Sequence, residues 1–322
     1  MKTQFFLKIL IIFNLIHIII YKYDYFRNFI INKINLNYNY KFSIIQIKPN
    51  ISTRGIMAYY FINMGCAIDQ IYKGFIPIID LASHPNIYNG FKNNSIKNPW
   101  EIFFNQPFGY TLENIKKKAK NIIYVQCHRG QHSPNFGIFY HSILVNYWHN
   151  FASIYMPIKQ ELINEANFKF KYLFHRTQNV LGILIRGTDY IAKKPFGHPI
   201  QPNPEMVFED IIKMNKKNKY DWYFLTTEDD LIRLKFIKKF GNKLKYYKSK
   251  ININYDYNKK QFLAYNTKII GNISFFKIYV INIIILSKCL DLITSRTGGS
   301  IVALILTKGF RNIKVYYLGW YK

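Results

Sequence analysis

From residue 42 onward, short apolar runs alternate with longer stretches in which apolar residues recur every three or four positions. The runs have the length of buried strands and the stretches the length of amphipathic helices. In the first half, FSIIQI (42–47) predicts a strand, GIMAYYFINMGCAIDQIYKG (55–74) a helix closed by Gly74, and FIPIID (75–80) a second strand. Together they make a βαβ unit. NIIYV (121–125) continues the sheet, and a broad helical region over 137–174 is interrupted near Pro157. In the second half, VLGILI (180–185), WYFLTT (222–227), DLITS (291–295) and IKVYYL (313–318) read as strands. Residues 205–217, 230–240, 276–288 and GGSIVALIL (298–306) read as helices. Within 230–240, Leu231, Leu234, Ile237 and Phe240 fall three apart and predict its buried face. Strand and helix alternating in both halves imply an α/β chain of two doubly wound, Rossmann-like units facing one another across a cleft.

A length of 322 residues accommodates two such units, at about 150 residues each. A compositional break sets off residues 1–40, where FFLKILIIFNLIHIII (5–20) is apolar but interrupted by Lys8, Asn14 and His17 and shorter than the roughly 20 residues of a span. That extension is either an uncleaved membrane anchor or surface-lying helix, or a soluble tail. The expected organisation is this extension, then 41–175, then 176–322. The 45 basic and 17 acidic residues give a formal charge of +28, which suits an anionic membrane surface or a phosphorylated ligand. Lys, Asn, Ile, Tyr and Phe abound throughout, so part of that charge follows from composition. No basic run interleaves with a nucleic-acid recognition motif, and nucleic acid is not an expected partner. Three scattered cysteines, Cys66, Cys127 and Cys289, argue against a disulfide framework and for a reducing compartment.

The chemistry concentrates at predicted strand ends, where open α/β sheets bind their ligands. RGTD (186–189) follows the strand 180–185: Arg186 suits a phosphate, Gly187 allows close backbone approach, and Asp189 can lock the arginine or the loop. Alone, the same four residues also suit an Arg–Asp pair tying a loop to the sheet. TTEDD (226–230) opens a helix, with Thr227 or Asp229 as ligand contact or plain N-cap. SRTGGS (295–300) joins strand to helix, and Ser295, Arg296, Thr297, Gly298, Gly299 and Ser300 can surround an anion at a helix start. Three such clusters on one edge describe a diphosphate pocket. There is no Walker A lysine motif, no G-x-G-x-x-G after the first strand and no D-x-D pair, so neither an ordinary kinase or dehydrogenase nor a metal-bridged diphosphate is expected. CHRGQH (127–132) has a ligand-like spacing but no fourth ligand nearby. NPWEIFFNQPFGY (98–110) offers aromatic rings that either stack on sugars or pack internally.

The series ILIRGTDY, GHPI, YFLTTEDD and DLITSRTGGS resembles the donor half of the fucosyltransferase superfamily that includes the α-1,6-, nodulation and protein O-fucosyltransferases. Asp189 is followed nine residues later by His198, Pro199 and Ile200, the spacing of the α-1,6 group. NPWEIFFNQP is similar to a segment of bacterial capsule-locus members, and the resemblance covers about residues 45–320. It implies a GT-B-like, metal-independent, inverting glycosyltransferase with no cofactor beyond its donor, GDP-fucose. Residues 41–175 would be the acceptor side and 176–322 the donor side. By position, Arg186 would hold the β-phosphate and Asp189 support it. His198, Gly187, Thr227, Asp229 and 295–300 would surround the nucleotide. The acceptor would be a glycan or lipid-linked oligosaccharide at the cytoplasmic face of the membrane. Two positions depart from the pattern: the usual His two before the arginine is Leu184, and the carboxylate five after the Asp is Lys194. The base would then be another group, such as Asp80, Glu101 or Glu205, and 272–285 lacks the acidic residue expected near guanine. These departures keep open a catalytically silent nucleotide- or glycan-binding protein, or a transferase using another nucleotide sugar.

Overall fold

The computed structural model describes residues 37–47, 55–83, 87–88, 98–127, 132–175, 177, 179–249, 255–263, 266, 268–307 and 309–322. The apolar segment 5–20 lies outside them. Among the described residues no helix is long and apolar enough to cross a membrane.

The first sheet has three parallel strands, β1 (Lys41–Ile47), β2 (Ile76–Asp80) and β3 (Asn121–Cys127), in the order β2-β1-β3. Helix α1 (Ile56–Tyr72) links β1 to β2, and Gly74 beyond its end takes φ 79°, as a left-handed helix stop requires. One face of this sheet buries Phe42, Ile44 and Ile78 against Tyr110, Leu112 and Ile115, with the short helices α2 (Trp100–Phe103) and α3 (Leu112–Lys118) completing the connection to β3. Trp100, Phe103 and Phe104 are fully buried, so these aromatics of the 98–110 segment pack internally.

The second sheet has five parallel strands, β4 (Val180–Leu184), β5 (Trp222–Thr226), β6 (Leu244–Lys245), β7 (Asp291–Ser295) and β8 (Ile313–Tyr316), in the order β6-β5-β4-β7-β8. The chain runs outward from β4 through β5 and β6, then returns to the other side of β4 as β7. The gap between β4 and β7 is therefore the switch point at which such sheets bind ligands. Both strands are buried at every position, as central strands are. Around them lie α6 (Thr188–Ala192), α7 (Pro204–Asn218), α8 (Asp230–Phe240), α9 (Ile273–Leu286) and α10 (Gly298–Thr307). Gly182 lets α9 approach β4, since a Cβ there would meet Leu286 at 2.7 Å.

The two halves share an interior. Helices α4 (Ser142–Tyr155) and α5 (Gln160–Phe174), which follow the first sheet in sequence, pack on α10 and α9 beside the second. Helix α1 also touches α10.

Two expectations are corrected. On α8 the stripe of Leu231 and Leu234 faces solvent, while Ile232 and Phe236 reach the core, because the Asp229 cap fixes the helix rotation and Ile237 and Phe240 are only partly buried. Cys66 and Cys127 form a disulfide, their Cα atoms 6.1 Å apart, because the end of β3 lies alongside the middle of α1. Cys289 remains a buried free thiol, whose pKa burial pushes above the ordinary thiol range.

Candidate functional site

A cavity of about 150 Å³ opens over the carboxyl ends of β4 and β5. The start of α1 (Gly55, Ile56) walls it from the first half, and Phe276 and Tyr279 of α9 wall it from the second. Its polar side is built by the segments that leave the two strands. In the β4–β5 register Leu184 pairs with Thr226, so two residues further Arg186 stands across from Glu228. Arg186 Nε lies 3.1 Å from Glu228 Oε1, and Nη2 donates to Asp189 Oδ1 at 3.2 Å. Nη1 has no partner among the described residues. Burial works against the charge of Arg186, but Glu228 and Asp189 outweigh it and raise its pKa above the ordinary value. Burial pushes the Glu228 carboxyl up, with Arg186 acting in the opposite sense. The guanidinium also lies 4.8 Å from the centre of the Tyr190 ring, which meets His198 edge-on at 5.2 Å.

Behind the arginine, Glu228 accepts from Gly187 N (2.9 Å) and Thr188 Oγ1 (3.0 Å). Asp229 caps α8 through Leu231 N and Ile232 N, and its other oxygen accepts from Thr188 N at 2.8 Å and from the Tyr257 hydroxyl. A Cβ on Gly187 would sit 2.0 Å from Asp229 Oδ2, so this crossing of loops needs glycine. Gly187→Ala is expected to cost about 1–3 kcal/mol by breaking the Thr188–Asp229 bond, read as a lower denaturant midpoint at unchanged slope.

Of the predicted residues, Arg186, Asp189 and Thr227 line the cavity. Gly187 and Asp229 brace it from behind, and His198 stands off the lining, against Tyr190. The third cluster lies beside it rather than in it. Ser295 is buried and bonded to Gln201. Ser300 Oγ donates to Ser295 O at 2.6 Å and lies within 2.8 Å of Thr297 Oγ1, so these hydroxyls satisfy one another at the start of α10. A Cβ on Gly298 would come within 3.0 Å of Phe61 and 3.3 Å of Ala58, and one on Gly299 within 2.8 Å of the Tyr279 hydroxyl. These glycines thus set the approach of α1 and α9 to α10. Arg296 points to an aromatic cluster, 3.8 Å from the centre of the Tyr317 ring.

The three carboxylates named as candidate bases are committed elsewhere. Asp80 is buried and holds Ala82 N, Ser83 and Lys116. Glu101 accepts from Leu112 N and Gln106, and Glu205 is exposed and pairs with Lys235. The carboxylates that do line the cavity are Asp189, Glu228 and Asp230. Sequence reasoning passed over Glu228, although the strand register would have placed it. It also passed over Asn282 on the cavity wall, whose Nδ2 donates to Tyr247 O at 2.7 Å while its buried Oδ1 has no partner. Of the 127–132 segment, Cys127 is in the disulfide and His132 pairs with Asp69, while His128 and Arg129 lie outside the described residues. Among the described residues no group of three or more His, Cys, Asp or Glu side chains could hold a metal ion.

No protein-family model matches the chain, and no curated protein matches its sequence. Among solved structures, the crystal structure of NodZ alpha-1,6-fucosyltransferase soaked with GDP-fucose matches at TM-score 0.50 and 11% identity, over 83% of this chain and 92% of that one. POFUT1 in complex with GDP matches at TM-score 0.48 and 8% identity, over 87% and 99% of the two chains. The likeness to the first is one of fold, and the chain has that GT-B-like architecture of parallel sheets and helices.

Proposed function

We propose that the chain is a glycosyltransferase that transfers fucose from GDP-fucose to a glycan, without a metal and with inversion at the anomeric carbon. The half 176–322 takes the donor, and the acceptor meets it from the side of 41–175. The observation that carries this reading is Arg186 at the end of β4, fixed by Glu228 and Asp189 with Nη1 left for a ligand. A diphosphate there would receive a fixed cation as the bond from the anomeric carbon to the β-phosphate oxygen breaks. The acceptor hydroxyl would attack from the opposite face and give its proton to a base on that side. Glu228 and Asp189 sit on the leaving-group side, so they position the arginine and do not serve as that base. Asn282 Oδ1, buried without a partner, would accept an N–H of the nucleobase in place of the missing acidic residue. Thr227 adds a polar group beside it, and the loop of Gly187 and Asp229 shapes the floor. His198 and residues 295–300 support the pocket from its flanks. The acceptor is proposed to be lipid-linked at a membrane face, where the +28 charge suits an anionic leaflet.

A second reading has its own support. Leu184 and Lys194 replace two polar positions of the pattern, and none of Asp80, Glu101 or Glu205 lines the cavity. A silent nucleotide binder would bind GDP and never hydrolyse donor, whereas a transferase hydrolyses it slowly without acceptor.

Calorimetry of GDP, GDP-fucose, UDP and ADP without added metal tests the proposal on wild type and Arg186→Lys, which keeps the charge and loses the fork. Guanine nucleotides are expected to bind tightest, with affinity reduced at least about ten-fold in the variant. Folded wild-type protein that binds no nucleotide would overturn it.

A further inference from the structure

Arg296, one residue past β7, lies on the far side of the switch point from Arg186, and no carboxylate pairs with it among the described residues. Its guanidinium lies against Tyr317 and within 6.0 Å of the ring centres of Phe136 and Tyr140. Nη2 donates to the Tyr140 hydroxyl at 3.2 Å, and buried Nε has no partner. The surrounding rings are open to solvent, with Tyr140 63% exposed, Tyr317 55% and Trp320 38%. Solvent-facing aromatic rings gathered around a cation that no described carboxylate neutralises are suited to receiving a ligand.

This surface connects to the cavity. Arg186 touches Tyr190, and Tyr190 touches His198. The segment 197–200 then pairs with the C-terminal segment: His198 O accepts from Tyr321 N at 2.9 Å, and Pro199 bridges Trp320. Trp320 lies 5.9 Å from Phe136 and 6.4 Å from Tyr317. Backbone pairing thus joins the Tyr190–His198 contact beside the proposed leaving-group arginine to the aromatic surface around Arg296.

The geometry points to this surface, where Tyr140 of the first half meets the C-terminal segment of the second, as the acceptor site, taking an acidic oligosaccharide whose rings lie on Tyr317, Trp320 and Tyr140 and whose carboxylate meets Arg296. Sugar rings offer flat C–H faces to aromatic rings and hydroxyls to the tyrosines, and a guanidinium receives a carboxylate in paired hydrogen bonds. An Arg296 with no described carboxylate partner, in a chain of charge +28, selects the acidic sugar over a neutral one. This inference rests on the transferase reading for its purpose, but its test does not use nucleotide.

The full chain is titrated with a β-1,4-linked glucuronic acid trimer and with cellotriose, followed by calorimetry and tryptophan fluorescence. The acidic trimer is expected to bind about ten-fold tighter than cellotriose at low salt. Tyr317→Ala is expected to weaken it at least about five-fold and Arg296→Met to remove the preference for acid, at unchanged melting temperature. Tyr172→Ala, an exposed ring on α5, serves as control and leaves both affinities as in wild type. Equal affinity for the two trimers, no binding of either, or binding unmoved by both variants would overturn the assignment. So would concentration-dependent self-association abolished by Tyr317→Ala, which would give the patch to a second copy of the chain. Glycan binding without GDP binding would leave this site standing and remove the transferase reading instead.

Discussion

Arg186→Ala is expected to destabilise the fold by about 3 kcal/mol, the lower end of the range for breaking a buried ion pair by removing one partner. A strand-end arginine adds little apolar packing, and from sequence alone its loss looks harmless. The structure reverses that expectation, because Arg186 is the counter-charge of two carboxylates at once. Its side chain keeps 21% exposure and those of Asp189 and Glu228 keep 10% and 12%, which sets the cost below that of a fully enclosed pair. The deficit should also depend on pH. In the variant, burial still raises the Glu228 pKa and no cation opposes it. The folded state then holds a proton that the unfolded chain releases, so variant stability falls as pH rises above the ordinary glutamate range. Denaturation at pH 5 and pH 8 checks this: the gap to wild type should be smaller at pH 5. The double variant Arg186→Met with Glu228→Gln should recover part of the loss, since Glu228 no longer leaves a buried charge while Asp189 still does. If Arg186→Ala is as stable as wild type at both values, the two carboxylates do not depend on it.

The same residues show how far the sequence reaches. Most strand positions were legible because buried parallel strands are near-continuous apolar runs, as β4 is, whereas the two-residue β6 offers no run to read. The RGTD cluster was legible as a site because a cation after such a run has few structural uses. Glu228 was hidden inside TTEDD, where any of three acidic residues can cap α8. Only the register Leu184 opposite Thr226 tells which one faces Arg186. SRTGGS misled for a related reason. Small hydroxyl and glycine residues before a helix suit both an anion and close helix packing, and the pattern does not distinguish Gly298 against Phe61 from Gly298 against a phosphate. On α8, Leu231 and Leu234 share a period with the core face but not its phase, and phase is set by the cap at Asp229. The aromatic surface around Arg296 joins residues 136–140 to 317–320, a pairing of segments far apart in the chain that no local pattern encodes.

The cysteines were the largest misreading, and they carry the other large effect. An odd, scattered set suggests reduced thiols, yet two of the three meet across 61 residues because β3 ends beside α1. Closing a loop of that length removes unfolded-state entropy worth about 4 kcal/mol in the chain-entropy account. The loop encloses β2, α2, α3 and β3, so the bond holds most of the first sheet to the helix that covers it. Beyond it in sequence, Ser133 lies against Gly65, where a Cβ would meet its backbone nitrogen at 2.5 Å, so this residue is pressed against α1. The double variant Cys66→Ala with Cys127→Ala is therefore expected to lose about 4 kcal/mol in denaturant unfolding, most of it from a wild type that is not reduced beforehand. Adding reductant to wild type under unfolding conditions should bring it close to the variant. Thiol titration of the unfolded, unreduced chain should find one reactive cysteine, Cys289, against three after reduction. Three thiols before reduction, together with a variant as stable as wild type, would show that the first sheet stands on its apolar contacts alone. One thiol would place the working protein in an oxidising compartment, against the expectation raised by the cysteine count, because a bond between two nearly buried sulfurs survives where the surroundings do not reduce it as the chain folds.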